Sequence, residues 1–232
     1  RASSVFLTLL VSRTLYATGL GIYSAALATV GVLTLIVEMG STSFLVREIA
    51  RDQAKTNLYF VELGVLAIVA GITTTGLLFA LLPVLNFSDE LATSVSVIIL
   101  AIIPATLNTM HEAVFIAHQR VHFQTYTTVI AALFNTGLSI SFLVQGHGII
   151  SLIVAFVATK YLTTISYFFF VNRYIVRLRW EFSLSSTLSL VGRIKMFAAS
   201  SMLGGLFARP EIIILTFVRG EAHTGFYSAA LK

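Results

Sequence analysis

The sequence predicts an all-α polytopic membrane protein, and three observations point to this class. Of its 232 residues, 57% are hydrophobic and only 11% are charged, whereas an average soluble domain has about 25% charged residues. The apolar residues lie in runs long enough to cross a bilayer as helices, which takes roughly 20 residues. The basic residues are concentrated in alternate connections between these runs. This composition excludes a soluble globular domain and an intrinsically disordered chain.

Six apolar runs are long enough to span the bilayer, and a shorter run at residues 2–14 precedes them. The full spans are predicted at residues 21–37, 59–85, 91–116, 123–144, 149–171 and 196–218. A further span is predicted to begin at Gly225. Since the chain begins at Arg1 inside one apolar run and ends at Lys232 inside another, we expect it to be an internal fragment of a longer protein.

The basic residues predict the orientation of these spans. The connections after the second, fourth and sixth runs, counting the short run as the first, contain nine Lys and Arg residues, and the intervening ones contain at most two. By the positive-inside rule, the basic connections are cytoplasmic and the first run starts in the cytoplasm. Residues 41–57 combine an apolar and a charged face, which predicts a short interfacial helix; an ordinary basic loop is the alternative.

A seven-residue segment occurs twice and indicates an internal repeat. GIYSAAL at residues 21–27 recurs as GFYSAAL at residues 225–231, with an offset of 204 residues. Each copy opens a span that starts outside. Because six spans separate the copies, both halves have the same orientation, which predicts a parallel repeat with its pseudo-twofold axis along the membrane normal.

The repeat predicts the domain organisation of a transporter with two lobes of six spans each. Residues 1–180 form the N-terminal lobe with a truncated first span, residues 181–195 form a cytoplasmic linker, and residues 196–232 begin the C-terminal lobe. In this architecture the substrate site lies between the lobes, near the bilayer midplane.

Two stretches of the chain resemble the polysaccharide-transporter family, within the superfamily of multidrug, oligosaccharidyl-lipid and polysaccharide exporters. The matching residues of the first stretch are Arg13, Leu15, Gly21, Tyr23, Glu38, Gly40 and the Val46-Arg47-Glu48 triplet. Those of the second are Arg209, Glu211, Gly225 and Tyr227. The chain departs from the pattern at Tyr16, where the family usually has Gly, a change that can alter the bend of the first outer loop. It also has Glu211 where Asp is commoner.

The resemblance implies a flippase that works by alternating access in the cytoplasmic (inner) membrane. Such proteins move sugars on a polyprenyl-pyrophosphate carrier across the bilayer for cell-surface polysaccharide biosynthesis, as the O-antigen and teichuronic acid exporters do. The implied partners are the lipid-linked oligosaccharide, the lipid bilayer, and glycosyltransferases or a polymerase of the same pathway. The alternatives are a cation-coupled multidrug exporter and a peptidoglycan-precursor flippase of the same superfamily.

The candidate substrate residues are three cations placed within or at the outer end of spans, where charge is costly and usually functional. Lys160, at the centre of its run, would attract a pyrophosphate in a water-filled cavity; a buried pair with an acid or a neutral lysine is the alternative. For Arg209 and Glu211, the alternative role is a salt bridge to another helix that fixes the packing of the lobes. The alternative role of Arg13 is that of an interfacial anchor.

The candidate gating or ion-coupling residues are acids. They are Glu38, Glu62, Glu112 and Glu211. The first three lie near the cytoplasmic ends of their spans, where the ordinary role is that of a partly solvated partner of the loop arginines. Asn108 and Asn135 are predicted to join helices by hydrogen bonds.

The sequence predicts no enzyme, no cofactor and no metal site. There is no cysteine, and His118 and His122 lack a third ligand that would complete a zinc site. No Gly-Lys-Ser/Thr run that binds ATP phosphates and no Gly-x-Ser-x-Gly nucleophile motif is present. Since the basic residues lie in short loops between spans, they are better explained by membrane topology than by nucleic-acid binding.

Overall fold

The computed structural model describes residues 2–85, 87–180, 182–205 and 210–231, and these form helices and connections without a strand. The helices are α1 (Ala2–Glu38), α2 (Ser41–Arg51), α3 (Thr56–Leu81), α4 (Asp89–Ile98), α5 (Ile102–Ala117), α6 (Val121–Val144), α7 (Ile149–Tyr174), α8 (Leu184–Gly205), α9 (Pro210–Arg219) and α10 (Glu221–Ala230). Short 3-10 turns precede α3, follow it, and join α4 to α5. The all-α class is confirmed.

The described residues contain five helical segments long and apolar enough to cross a membrane. They are Arg13–Glu38, Gln53–Val84, Asp89–Ala117, Val121–Val144 and Ile149–Tyr174. The predicted span at residues 196–218 stays a prediction, because it includes residues 206–209, which lie outside the described residues.

Helix α8 begins inside the predicted linker. Residues 184–195 form the first part of α8, so most of the segment predicted as a linker is helical. The apolar pattern missed this helix because its first half is polar. The division of the chain into two lobes stays a prediction.

The helix predicted within residues 41–57 is present as α2, and its position at a membrane interface stays a prediction. Its apolar residues Phe44, Leu45 and Ile49 are at most 1% exposed and belong to a cluster with residues of α3, α5, α7 and α8. The opposite face carries the charged residues of the segment. Helix α2 is thus held against the bundle by burial of one face.

The backbone repeats with the same offset as the sequence. Helix α1 is broken at Tyr16, which has φ 58° and ψ −172°. Gly220, 204 residues later, separates α9 from α10 with φ 81° and ψ 177°. The chain therefore bends in the same way at both sites, and the change expected from Tyr in place of Gly is not seen.

Replacing Tyr16 with Gly should stabilise the full-length protein by about 1–2 kcal/mol, because this backbone conformation is almost restricted to glycine. The Tyr16 side chain is 77% exposed, so little packing is lost. Thermal unfolding in detergent measures the effect. Gly220→Ala is the matched control: its new Cβ has no atom within 4 Å, and it should destabilise the protein through the backbone alone. A lower unfolding temperature in Tyr16→Gly would contradict the inferred backbone strain at Tyr16.

The two copies of the repeated segment pack against each other. A Cβ on Gly21 would overlap the carbonyl oxygen of Glu221, and a Cβ on Gly225 would overlap that of Ala17. Under the 204-residue offset, Ala17 corresponds to Glu221 and Gly21 to Gly225. The contact is therefore reciprocal, as a twofold axis requires, and small residues let the two backbones approach closely.

The environment of His118, just after α5, predicts that the stability of the folded protein depends on pH. Its Nε2 lies 2.9 Å from Thr56 Oγ1, and burial, with a smaller effect of Arg120, lowers its pKa. The His118 imidazole therefore takes up a proton at a higher pH in the unfolded chain than in the folded one. Its contribution to the free energy of unfolding is present above the ordinary pKa of about 6.5 and is lost as the pH falls below it. We expect His118→Gln to reduce the drop in unfolding temperature between pH 7 and pH 5. An unchanged drop would rule out this contribution.

Candidate functional site

Polar side chains join α5, α6 and α7 in the middle of the bundle. Asn108 Nδ2 donates to the carbonyl oxygen of Lys160 at 3.3 Å, and its Oδ1 accepts from Thr164 Oγ1 at 2.9 Å. Asn135 Oδ1 accepts from Thr159 Oγ1 at 3.5 Å. Both asparagines thus connect neighbouring helices, as the sequence predicts, and they fix the position of α7 beside α5 and α6.

Lys160 lies in the middle of α7, eleven residues after Ile149. Its side chain is partly buried, and Nζ lies 5.3 Å from the centroid of the Phe156 ring, a favourable cation–π distance. It forms no salt bridge with the described residues. Its acidic neighbour is Glu112, which interacts with it electrostatically across a longer distance.

Glu112 is held by a hydrogen-bond network. Its Oε1 accepts from the hydroxyl of Tyr167 at 3.2 Å, and this hydroxyl lies 3.2 Å from Thr128 Oγ1. Tyr167 is fully buried. The network connects α5, α7 and α6, so it positions Glu112 where it interacts electrostatically with both Glu38 and Lys160. The structure therefore places Glu112 within electrostatic range of two other predicted residues, and Glu38, Glu112 and Lys160 together form what we call the charged series.

Two of the acids expected near the cytoplasm face helices rather than loop arginines. Glu38, the last residue of α1, is 9% exposed and lines a cavity of about 210 Å³ together with Lys195. Glu62 is fully buried, and its Oε2 accepts from Ser186 Oγ on α8 at 3.1 Å. The other oxygen of Glu62 has no hydrogen-bond partner among the described residues. The expected pairing with loop arginines is not observed, because packing of α8 covers this face of α3.

Among the described residues, Arg13 and Glu211 have no observed contact with the charged series. Arg13 is exposed and begins the first candidate span. Glu211 is in the first turn of α9 and is partly buried. Within the described part of the chain neither forms a salt bridge. Arg209 lies outside the described residues.

A contact between α2 and α8 was not predicted from the sequence. Arg193 Nη2 lies 2.6 Å from Glu48 Oε2, and the guanidinium lies 5.4 Å from the centroid of the Phe44 ring. Gly40, with φ 71°, approaches the backbone at Phe197 so closely that a Cβ would overlap it. Glu48 belongs to the motif of the family resemblance, and that was the one sequence signal for this contact.

Comparison with known proteins identifies the architecture. The sequence profile described as "Polysaccharide biosynthesis protein" matches residues 10–232. No curated protein matches the chain. Three solved structures match with sequence identities of 17–18% and cover 99% of this chain.

Two of these structures are an inward-facing and an outward-facing conformation of a multidrug resistance MATE family transporter of the MOP superfamily. Their TM-scores are 0.73 and 0.74, and 56% and 55% of those chains are covered. The third is a MOP superfamily transporter from Pyrococcus furiosus Vc1 (DSM3638), with a TM-score of 0.68 and 60% of its chain covered. Our chain thus spans little more than half the length of these transporters and shares their fold.

Proposed function

Because the chain belongs to the family of polysaccharide biosynthesis proteins and has the fold of MOP superfamily transporters, we propose that the whole protein is a membrane transporter, not an enzyme, and that it flips lipid-linked oligosaccharide. The substrate would be a sugar chain on a polyprenyl-pyrophosphate carrier in the cytoplasmic membrane. Transport would proceed by alternating access between two lobes, of which this chain supplies the first.

The observation that carries the proposal is the position of Lys160. A mid-membrane ammonium without a salt bridge among the described residues is costly, and an anionic head group would offset that cost as a mobile counter-ion. A lysine provides a point charge suited to phosphate. An exporter of cationic drugs would instead need an acidic cavity, and a reverse polarity of the binding pocket is what suggested a different function for the Pyrococcus furiosus transporter.

The acids suggest how the head group is positioned and how transport is coupled to an ion. Glu112 and Glu38 lie between Lys160 and the predicted cytoplasmic end, so they would repel an anionic head group on that side and favour its place beside Lys160. Glu62 is a second candidate for ion coupling, because it is fully buried and one of its carboxylate oxygens has no hydrogen-bond partner among the described residues. Arg13, Arg209 and Glu211 are proposed as outer contacts of the cavity. Glycosyltransferases or a polymerase would supply and consume the substrate.

Reconstitution of the full-length protein in liposomes tests the proposed substrate. The liposomes contain a fluorescent oligosaccharide on polyprenyl diphosphate, and a membrane-impermeant glycosidase reports the fraction exposed outside. We expect the protein to increase that fraction, whereas protein-free liposomes should not change. Transport of a cationic dye without movement of the lipid-linked sugar would indicate a multidrug exporter. Preference for a peptide-bearing peptidoglycan precursor would indicate the other alternative.

A further inference from the structure

A second candidate site lies on the side of the bundle, in a groove that none of Glu38, Glu112 and Lys160 lines. A groove of about 440 Å³ runs between α3 and α7, with α5 as its floor and residues 178–180 across one end. Its volume lies in the range of small-molecule sites. Its apolar walls include Phe60, Ile68, Leu107, Ile165 and Phe168. Ile165 and Phe168 are 66% and 51% exposed.

The groove is polar at one end and apolar at the other. Arg179 and Trp180 lie at the end predicted to be cytoplasmic, and Trp180 is 78% exposed, as is typical of a ring at a membrane interface. The backbone N–H of Arg179 donates to Asn57 Oδ1 at 2.8 Å, which fixes this end to the start of α3. From Phe60 to Ile68 the groove extends about 12 Å along α3 toward the membrane centre.

A buried histidine provides an independent sign of a ligand. His111 lines the groove and is 2% exposed. Its Nδ1 lies 2.6 Å from the carbonyl oxygen of Leu107, and since a carbonyl only accepts, Nδ1 carries the proton. Nε2 is then an acceptor, and it has no partner among the described residues. Leaving it unpaired is costly.

His111 is near the polar end of the groove. Its ring centroid lies 4.8 Å from that of Phe60, one helical turn from Asn57. The groove therefore offers a cation at its mouth, a hydrogen-bond acceptor just below, and an apolar channel beyond. A lipid of the cytoplasmic leaflet has the same order: phosphate, hydrated glycerol region, acyl chain.

We propose that this groove binds an anionic phospholipid of the cytoplasmic leaflet, with its phosphate beside Arg179 and one acyl chain between α3 and α7. A water or hydroxyl at the glycerol level donates to His111 Nε2 after a small side-chain movement, because this atom is buried in the lipid-free structure. Negative charge is favoured because the cytoplasmic leaflet is anionic and the mouth is cationic. The site is independent of the proposed transport and would hold a structural lipid.

Native mass spectrometry of the full-length protein, titrated with phosphatidylglycerol or phosphatidylcholine, tests the proposal. We expect tighter binding of phosphatidylglycerol and a loss of about fivefold in its affinity in Arg179→Gln, as one interfacial cation predicts. Arg177→Gln is the matched control, because Arg177 is exposed and does not line the groove. Equal losses in the two variants, or equal binding of both lipids, would overturn the site.

A second variant tests the acyl channel itself. Gly64 lines the groove, and a Cβ there would meet no atom within 4 Å, so Gly64→Leu should fold and fill the channel. We expect weaker phosphatidylglycerol binding with an unchanged unfolding temperature of the lipid-free protein. Unchanged binding would contradict the proposal, as would displacement of phosphatidylglycerol by polyprenyl diphosphate, since the carrier of the transported sugar would then be the occupant.

Discussion

Replacing Gly21 with Ala should destabilise the full-length protein by about 2–3 kcal/mol and strongly reduce transport, although alanine is the better helix former. The new Cβ would overlap the carbonyl oxygen of Glu221, which is backbone and cannot move aside without shifting α10. Membrane helices associate through close packing rather than through exclusion of water. Separating α1 from α10 would thus remove the contact that joins the two copies of the repeat.

Gly31 is the matched control for this effect. It lies on the same helix, and a Cβ there would meet nothing within 4 Å, so Gly31→Ala should be neutral or stabilising. Gly225→Ala should reproduce the defect of Gly21→Ala, since the contact is reciprocal. Unfolding in detergent and transport in liposomes measure both properties. Equal stability and equal transport in Gly21→Ala and Gly31→Ala would contradict the close packing of α1 against α10.

Replacing Lys160 with Ala should reduce transport of the lipid-linked sugar at least tenfold, a loss of about 1.4 kcal/mol or more, while insertion into the membrane is retained. Lys160→Arg should keep part of the activity, because it preserves the charge but changes the donor geometry. The control is Lys55→Ala, which removes an exposed cation that pairs with Asp52 at 3.0 Å. Equal transport rates in Lys160→Ala and the wild type would show that Lys160 does not contact the substrate.

A purely structural role for Lys160 gives a different result. If Lys160 only balances Glu112, then Lys160→Ala should lower the unfolding temperature, and adding Glu112→Gln should restore both stability and transport. If Lys160 binds the head group, the double variant should remain inactive. The two variants thus separate a substrate contact from an internal charge pair.

The features predicted from the sequence are those that repeat along the helix axis or along the chain. Runs of apolar residues predict most spans, and the two faces of α2 follow from its period. The offset between GIYSAAL and GFYSAAL makes Tyr16 and Gly220 equivalent positions. It does not by itself predict their common bend, because a tyrosine gives no signal of left-handed backbone. Lys160 was identified because charge is rare in the middle of a span.

The missed features depend on packing between distant parts of the chain. Glu62 meets Ser186, and Glu48 meets Arg193, across more than a hundred residues each. Neither local period nor composition places α8 against α2 and α3. The groove beside His111 could not be predicted, since its walls come from three helices and the connection after α7.

The most direct test of Lys160 as the binding site of an anionic head group compares two substrates with the same sugar and lipid tail. One has a diphosphate link and the other an uncharged link, and their rates of movement are measured in liposomes with wild-type protein and with Lys160→Gln. If Lys160 holds the diphosphate, the wild type prefers the charged substrate and the variant loses this preference by slowing that substrate alone. An unchanged preference in Lys160→Gln would contradict the proposed function of this residue.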